Sequence, residues 1–178
     1  MLISQEGHYA VVGGRIMDFW NGLEIKSLDD LKRSNRIPAS RLPPEGLGAV
    51  KLGEGPRITL FIDPLSPTTG DVLSAARDMS SRYAVHLVLL PTSKDRTEVS
   101  RRLLCLEPAE ALKHLGGELS EASLPPGKDG CGREKLQRNL VAATLFRVRK
   151  VPFVVAANGA FSAGLPDDYR GFFDDNTE

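Results

Sequence analysis

The apolar positions of this chain follow two periodicities, and the switch between them recurs along its length. Residues 57–63, RITLFID, form a nearly continuous apolar run, the pattern of a strand covered on both faces. Residues 67–83, PTTGDVLSAARDMSSRY, then place Val72, Leu73, Ala76 and Met79 at helical spacing. VHLVLL at 85–90 reads as a second strand. A helical region runs from about Asp95 to Leu115, interrupted near Pro108, and a loop, SLPPGKDGCG, spans 123–132. Residues 133–148, REKLQRNLVAATLFRV, predict another helix. The chain ends in a hairpin, PFVVAA and AFSAG about the turn Asn158-Gly159, and a helix over 166–173 with Pro166 in its first turn.

Ahead of this alternating part, HYAVVGGRIMDFW at 8–20 predicts a hairpin about Gly13-Gly14, a pair that readily supplies positive φ. SLDDLKRSN at 27–35 predicts a short helix with Ser27 as cap, acids in its first turn and bases in its last. Residues 36–56 hold Pro38, Pro43, Pro44 and Pro56 and several glycines, and read as a linker or irregular crossing. The division is therefore 1–26, an N-terminal hairpin; 27–56, a linker helix and Pro/Gly-rich linker; and 57–178, a globular α/β domain. Its order, β-α-β then helices then a β-hairpin and helix, is thioredoxin-like. A right-handed crossover makes the first two strands parallel, and the terminal hairpin is antiparallel.

Composition narrows the functions. The 178 residues carry 23 basic and 23 acidic side chains, with a pI near 6.8, so no broad basic field draws nucleic acid or anionic lipid. No apolar run approaches the roughly 20 residues that span a bilayer. The stretch MLISQEGHYAVV lacks the basic start and apolar core of a signal peptide, which leaves the cytosol and a mature envelope protein both open. Cys105 and Cys131 are too far apart for a Cys-x-x-Cys motif or a cysteine-only zinc site. They read either as free thiols in a reducing compartment or as one disulfide in an oxidising one.

Ser66 sits at a strand-to-helix junction, where reactive groups often lie, but Pro-Leu-Ser-Pro-Thr is not the Gly-x-Ser-x-Gly of a hydrolase elbow. The histidines offer no base: His86 lies inside an apolar strand, and His8 and His114 read as surface positions. Ser66 as helix cap, with Pro67 in the first turn, is the better reading. No two histidines share a metal-ligand spacing, and Asp167-Asp168 and Asp174-Asp175 read as solvated acidic ends. Gly46-Leu47-Gly48 neither follows a strand nor opens a helix, so no dinucleotide fingerprint is present. No metal or cofactor is expected. Arg147, Arg149 and Lys150 read as a basic, solvated helix end.

Taken in order, these motifs resemble the bacterial periplasmic disulfide isomerases of the DsbC/DsbG family over about residues 8–173. ITLFIDPLSPTTGDVL resembles the family's strand and active-site helix, with Phe-x-Asp before the Cys-x-x-Cys. VPFVVAANGAF is similar to its cis-proline loop and following hairpin. HYAVVGGRIMDFW resembles the end of its dimerisation domain and SLDDLKRSN its linker helix, although the family's N-terminal domain is longer than the segment present here. The resemblance places Ser66 and Thr69, with Pro67 and Thr68 between, where the family has its catalytic cysteines. Hydroxyls that stay protonated near neutral pH cannot form mixed disulfides, so the isomerase activity should not carry over.

What the resemblance does imply is a surface for unfolded or extended polypeptide, made by Ser66, Pro67, Thr68, Thr69, Val151 and a cis Pro152, with Val151 offering its backbone for β-addition. Lys150-Val151 stands where family members often have Gly-Thr, making the lip bulkier and more basic. The family's second, structural disulfide matches Cys105 and Cys131. The closed loop of about 27 residues is worth roughly 3.5 kcal/mol in the chain-entropy model, and the bond favours the periplasm. The expected function is thus a redox-inactive periplasmic chaperone, or an assembly component for an envelope partner in secretion or conjugation, with homodimerisation through the N-terminal hairpin. The alternative is a thiol–disulfide oxidoreductase using Cys105 and Cys131.

Overall fold

The computed structural model describes residues 2–4, 9–19, 22–34, 36–37, 46–117, 119–127 and 130–177. His8, Trp20, Asn35, the linker prolines Pro38, Pro43 and Pro44, and residues 128–129 of the loop lie outside them.

The N-terminal residues form an antiparallel meander of four strands, β1 (Leu2–Ile3), β2 (Tyr9–Val12), β3 (Arg15–Asp18) and β4 (Leu23–Ile25). The expected hairpin is β2–β3, with Gly13 and Gly14 at φ 57° and 79° in its turn. β1 pairs Leu2 with Val11, and β4 pairs Ile25 with Ile16, so the hairpin is widened on both sides. Helix α1 (Leu28–Ser34) starts as its sequence dictates: Ser27 Oγ accepts from Asp30 N at 3.1 Å and Asp30 Oδ2 accepts from Lys26 N at 3.1 Å, a reciprocal cap.

The main sheet has five strands in the order β5-β7-β6-β8-β9. These are β5 (Ala49–Leu52), β6 (Arg57–Ile62), β7 (Ala84–Leu89), β8 (Phe153–Val155) and β9 (Phe161–Ala163). β6 and β7 are parallel, joined over the crossover helix α2 (Thr69–Met79), while β8 runs antiparallel to β6 and β9 antiparallel to β8. The chain thus has a thioredoxin-like fold with helices inserted between β7 and β8. These are α3 (Thr97–Leu103), preceded by a 3₁₀ turn at Lys94–Arg96, α4 (Pro108–Leu115) and α5 (Arg133–Leu145). Pro108 interrupts the helical run as expected and becomes the first residue of α4.

Three elements differ from the sequence reading. Residues 49–52, inside the stretch read as linker, form edge strand β5, held antiparallel to β7 by the register Ala49↔Val88 to Leu52↔Val85. Asn139 explains its position: this buried amide on α5 accepts from Gly48 N at 2.8 Å and donates to Gly48 O and Leu89 O, each at 2.9 Å. Helix α2 begins at Thr69 rather than Pro67 and ends at Met79, with 80–83 in turns that bond back to Ala76 O and Met79 O. The last helix, α6 (Tyr169–Asp174), starts after Pro166, because Asp168 Oδ1 accepts from Gly171 N at 2.9 Å and caps it there.

Strand alternation sends β6 into two cores. Leu60 and Ile62 meet Leu73, Leu87, Leu103 and Phe173, while Phe61 faces Val88, Ala143, Phe146 and Phe153 on the other side. Burying each such side chain is worth about 1.5–3 kcal/mol. Ile37 is also buried in the second core, and its amide bonds to Gly159 O at 2.8 Å, anchoring the linker against the last hairpin. Gly159, at φ 89°, has no room for a side chain, since a Cβ there would lie 2.1 Å from Ile37 O.

Candidate functional site at the β6–α2 junction and the cis-proline loop

Asp63 organises the junction. It follows β6 directly and its side chain is buried. Oδ1 accepts from Leu65 N at 3.0 Å; Oδ2 accepts from Thr92 N at 3.0 Å, from the Thr92 hydroxyl, and from Arg96 Nη1 at 2.9 Å. Burial alone would raise this carboxyl, but the bonds from Thr92, Leu65 N and Arg96 together hold it below the usual carboxylate range. One carboxylate thereby fixes the ends of two neighbouring strands and the turn into α2.

Ser66 and Thr69 are both satisfied locally. Ser66 N bonds Asp63 O at 3.0 Å, and Thr69 N bonds Ser66 O at 3.0 Å. Ser66 Oγ lies 3.0 Å from Thr68 Oγ1 and accepts weakly from Thr68 N at 3.4 Å. Thr69 is buried and its hydroxyl donates to Asp63 O at 2.6 Å. Ser66 is therefore a turn residue rather than the helix cap expected of it. Thr68 occupies the cap position, and Pro67 precedes the helix.

The Val151–Pro152 peptide bond is cis. It borders a groove of about 550 Å³ between α2 and the β9–α6 connection, lined by Thr68, Asp71, Lys150, Val151, Pro152 and Leu165 among others. The predicted surface is only partly assembled in one place. Thr68, Val151 and Pro152 share this groove, whereas Ser66, Pro67 and Thr69 line an adjoining cleft of about 360 Å³ toward Leu115 and Leu119 beyond α4. The groove combines the Thr68 and Ser74 hydroxyls, aliphatic carbons and two proline rings with the carboxylates of Asp71 and Asp167 and the Lys150 ammonium. Thiol chemistry has no thiol at this junction.

Cys105 and Cys131 are joined in a disulfide, Cα–Cα 5.6 Å, and neither is free. It ties the end of α3 to the start of α5. Arg101 Nη1 donates to Cys131 O at 2.6 Å beside it.

The remaining candidates are dispersed. His86 is half-buried on β7, and burial, aided by Arg57 and Lys51, pushes its imidazole below the usual value; His114 is half-buried on α4. Asp174, read as part of a solvated acidic end, instead pairs with Arg82 Nη2 at 2.7 Å and with the Tyr83 hydroxyl. Arg147, Arg149 and Lys150 lie past the end of α5, in the loop leading to Pro152. Among the described residues no group of three or more His, Cys, Asp or Glu could hold a metal, and no helix is long and apolar enough to cross a membrane. Sequence reasoning missed Asp63 as the centre of the junction, and its partners Thr92 and Arg96. The available signal was a carboxylate placed immediately after a buried strand.

No family model matches the sequence, and no curated protein sequence matches it. Solved structures do. A disulfide interchange protein from Neisseria gonorrhoeae superposes with a TM-score of 0.60 at 14% identity, covering 76% of this chain and 99% of the other. The catalytic domain of Proteus mirabilis ScsC gives 0.62 at 16% identity, covering 78% and 96%. A periplasmic thioredoxin-like protein from Salmonella enterica serovar Typhimurium gives 0.55 at 16% identity, covering 85% and 99%. The fold of this chain is therefore the thioredoxin-like fold of the thiol–disulfide interchange proteins.

Proposed function

We propose that the protein binds extended polypeptide in the periplasm without exchanging disulfides. It acts as a chaperone or as an assembly component of an envelope, secretion or conjugation machine. The observation that carries this reading is the junction itself: Ser66 and Thr69 present hydroxyls there, Thr68 faces the cis Val151–Pro152 bond across a groove, and both cysteines are bonded to each other. A groove beside the cis-proline loop suits β-addition, in which a bound strand pairs with the backbone near Val151 and side-chain recesses supply selectivity. The internal disulfide and the fold shared with a periplasmic protein support an oxidising compartment.

The test is to add purified protein to an aggregating unfolded client and, separately, to disulfide-bonded insulin with a small-molecule dithiol as reductant. Suppressed aggregation with no acceleration of insulin reduction is expected. Failure to slow aggregation or to capture any envelope partner would sink the reading. Insulin reduction lost on Cys105→Ser would instead carry the oxidoreductase alternative.

A further inference from the structure

A second cleft, of about 460 Å³, opens on the other flank of the cis-proline loop, between that loop, the end of β7 and the last turns of α5. Lys150 and Val151 line both this cleft and the groove beside α2, so the two recesses meet at the residues preceding Pro152. The apolar wall of the cleft is made by Leu90, Ala143 and Val148. Leu140 continues it outward, 41% exposed, and Val141 and Leu145 on the same helix are 53% and 66% exposed. Of these three only Leu140 lines the recess, and it carries the apolar wall out to the surface.

The charges are as asymmetric as the shape. Arg149 and Lys150 line the cleft, are exposed, and pair with no carboxylate among the described residues. No aspartate or glutamate lines it. In the groove across the loop, Asp71 and Asp167 face Lys150 instead. The chain as a whole is neutral, so this local excess of positive charge is a property of the loop after α5. The turn that delivers it carries a conformational cost. Arg147 adopts φ 51°, with Arg147 N bonded to Thr144 O at 3.2 Å and Val148 N to Ala143 O at 2.8 Å. That bonding is a helix-ending motif which normally takes glycine at the left-handed position.

We propose that this cleft docks an acidic, leucine-rich stretch of a partner polypeptide, with carboxylates over Arg149 and Lys150 and an apolar side chain against Leu90, Ala143 and Val148. The inference rests on the polypeptide-binding reading and adds its selectivity: a segment crossing Val151 places its acidic portion on the α5 side, not beside Asp71 and Asp167. Cations without intramolecular partners favour an anionic ligand by complementarity, and reversing their sign penalises the same ligand by like-charge repulsion.

The experiment measures fluorescence anisotropy of three labelled peptides, alternating aspartate–leucine, serine–leucine and lysine–leucine, with the intact, oxidised protein. The acidic peptide is expected to bind at least about tenfold more tightly than the lysine peptide, a preference that shrinks with salt. Arg149→Glu with Lys150→Glu should abolish that preference, and Leu140→Gln should weaken the acidic peptide severalfold. All three changes are at exposed positions, so unfolding curves matching the parent confirm an intact fold. If the serine peptide binds but the acidic one binds no better, or if the doubly reversed variant keeps the preference, this cleft assignment is wrong and the broader reading stands. If no peptide binds the parent protein, both fall together.

Discussion

The Thr69 hydroxyl donates a 2.6 Å hydrogen bond to the backbone carbonyl of Asp63, linking the first residue of α2 to the residue that follows β6. The side chain at this position thus closes the strand-to-helix turn and faces inward. Ser66, three residues earlier and half-buried, borders the cleft toward α4.

Thr69→Val should destabilise the protein by about 0.5–1.5 kcal/mol, because a shape-matched side chain removes one of the two hydrogen bonds to the Asp63 carbonyl and leaves only that from Ser66 N. Thr69→Ser should cost less than half of that. Urea unfolding of the two variants makes the comparison.

Ser66→Cys combined with Thr69→Cys should convert the thiol-free junction into a redox centre. Ser66 is half-buried and close to the start of a helix, where a thiolate is favoured. Insulin reduction should appear in the double variant and be absent from the parent. A folded but inert variant would mean that these positions are not equivalent to the catalytic cysteines of the interchange proteins.

Acid should loosen the junction. Asp63 is held below the ordinary carboxylate range, and Glu98 is held at about 2 by Arg101 and then Arg102. Both are depressed by folding, so their contribution is complete above about pH 4.5 and drains away as pH falls through the folded values. His86, also depressed, adds a loss that begins as pH drops below about 6.5, because only the unfolded state protonates readily. Asp63→Ala should cost about 3 kcal/mol at neutral pH by orphaning Thr92, Leu65 N and Arg96. Its unfolding free energy should also vary less with pH below about 4 than the parent's. An unchanged acid limb in this variant would remove Asp63 from the account.

Replacing Cys105 and Cys131 together by alanine should lower stability by about 3.5 kcal/mol, the chain-entropy value for a loop of this size. The loss should appear as faster hydrogen exchange in α4, which lies within the closed loop, and at the end of α3 where the bond is anchored. The β6–β7 core should keep its protection.

Arg147→Gly should raise stability by about 0.5–1 kcal/mol, since glycine adopts the left-handed position without the steric cost borne by arginine. Thermal unfolding reads the gain directly.

Much of the architecture is legible from local pattern because the pattern and the environment agree. RITLFI is apolar throughout, and β6 is covered on both faces. Gly13-Gly14 and Asn158-Gly159 announce two hairpins because few residue pairs tolerate their turn geometry. The absence of a thiol at Ser66 and Thr69 is a plain fact of the chain. By contrast, AVKL at 49–52 is too short and mixed to announce a strand, and it becomes one through pairing with β7 and anchorage of Gly48 by Asn139. Nothing local to Pro67 shows that α2 starts two residues later.

What the sequence by itself determined, then, is the order of strands and helices, the hydroxyls at the junction, and the proline at the loop. Those follow from periodicity, turn chemistry and residue identity, all of which are local. Only the tertiary structure decided that Asp63 gathers Thr92 and Arg96, that Cys105 meets Cys131, and that Thr68 shares a groove with Pro152 while Ser66 and Thr69 face another cleft. Each of these depends on contacts between segments far apart in the chain. Burial is what makes such contacts decisive, since a carboxylate removed from water must be met by whatever donors the fold brings to it.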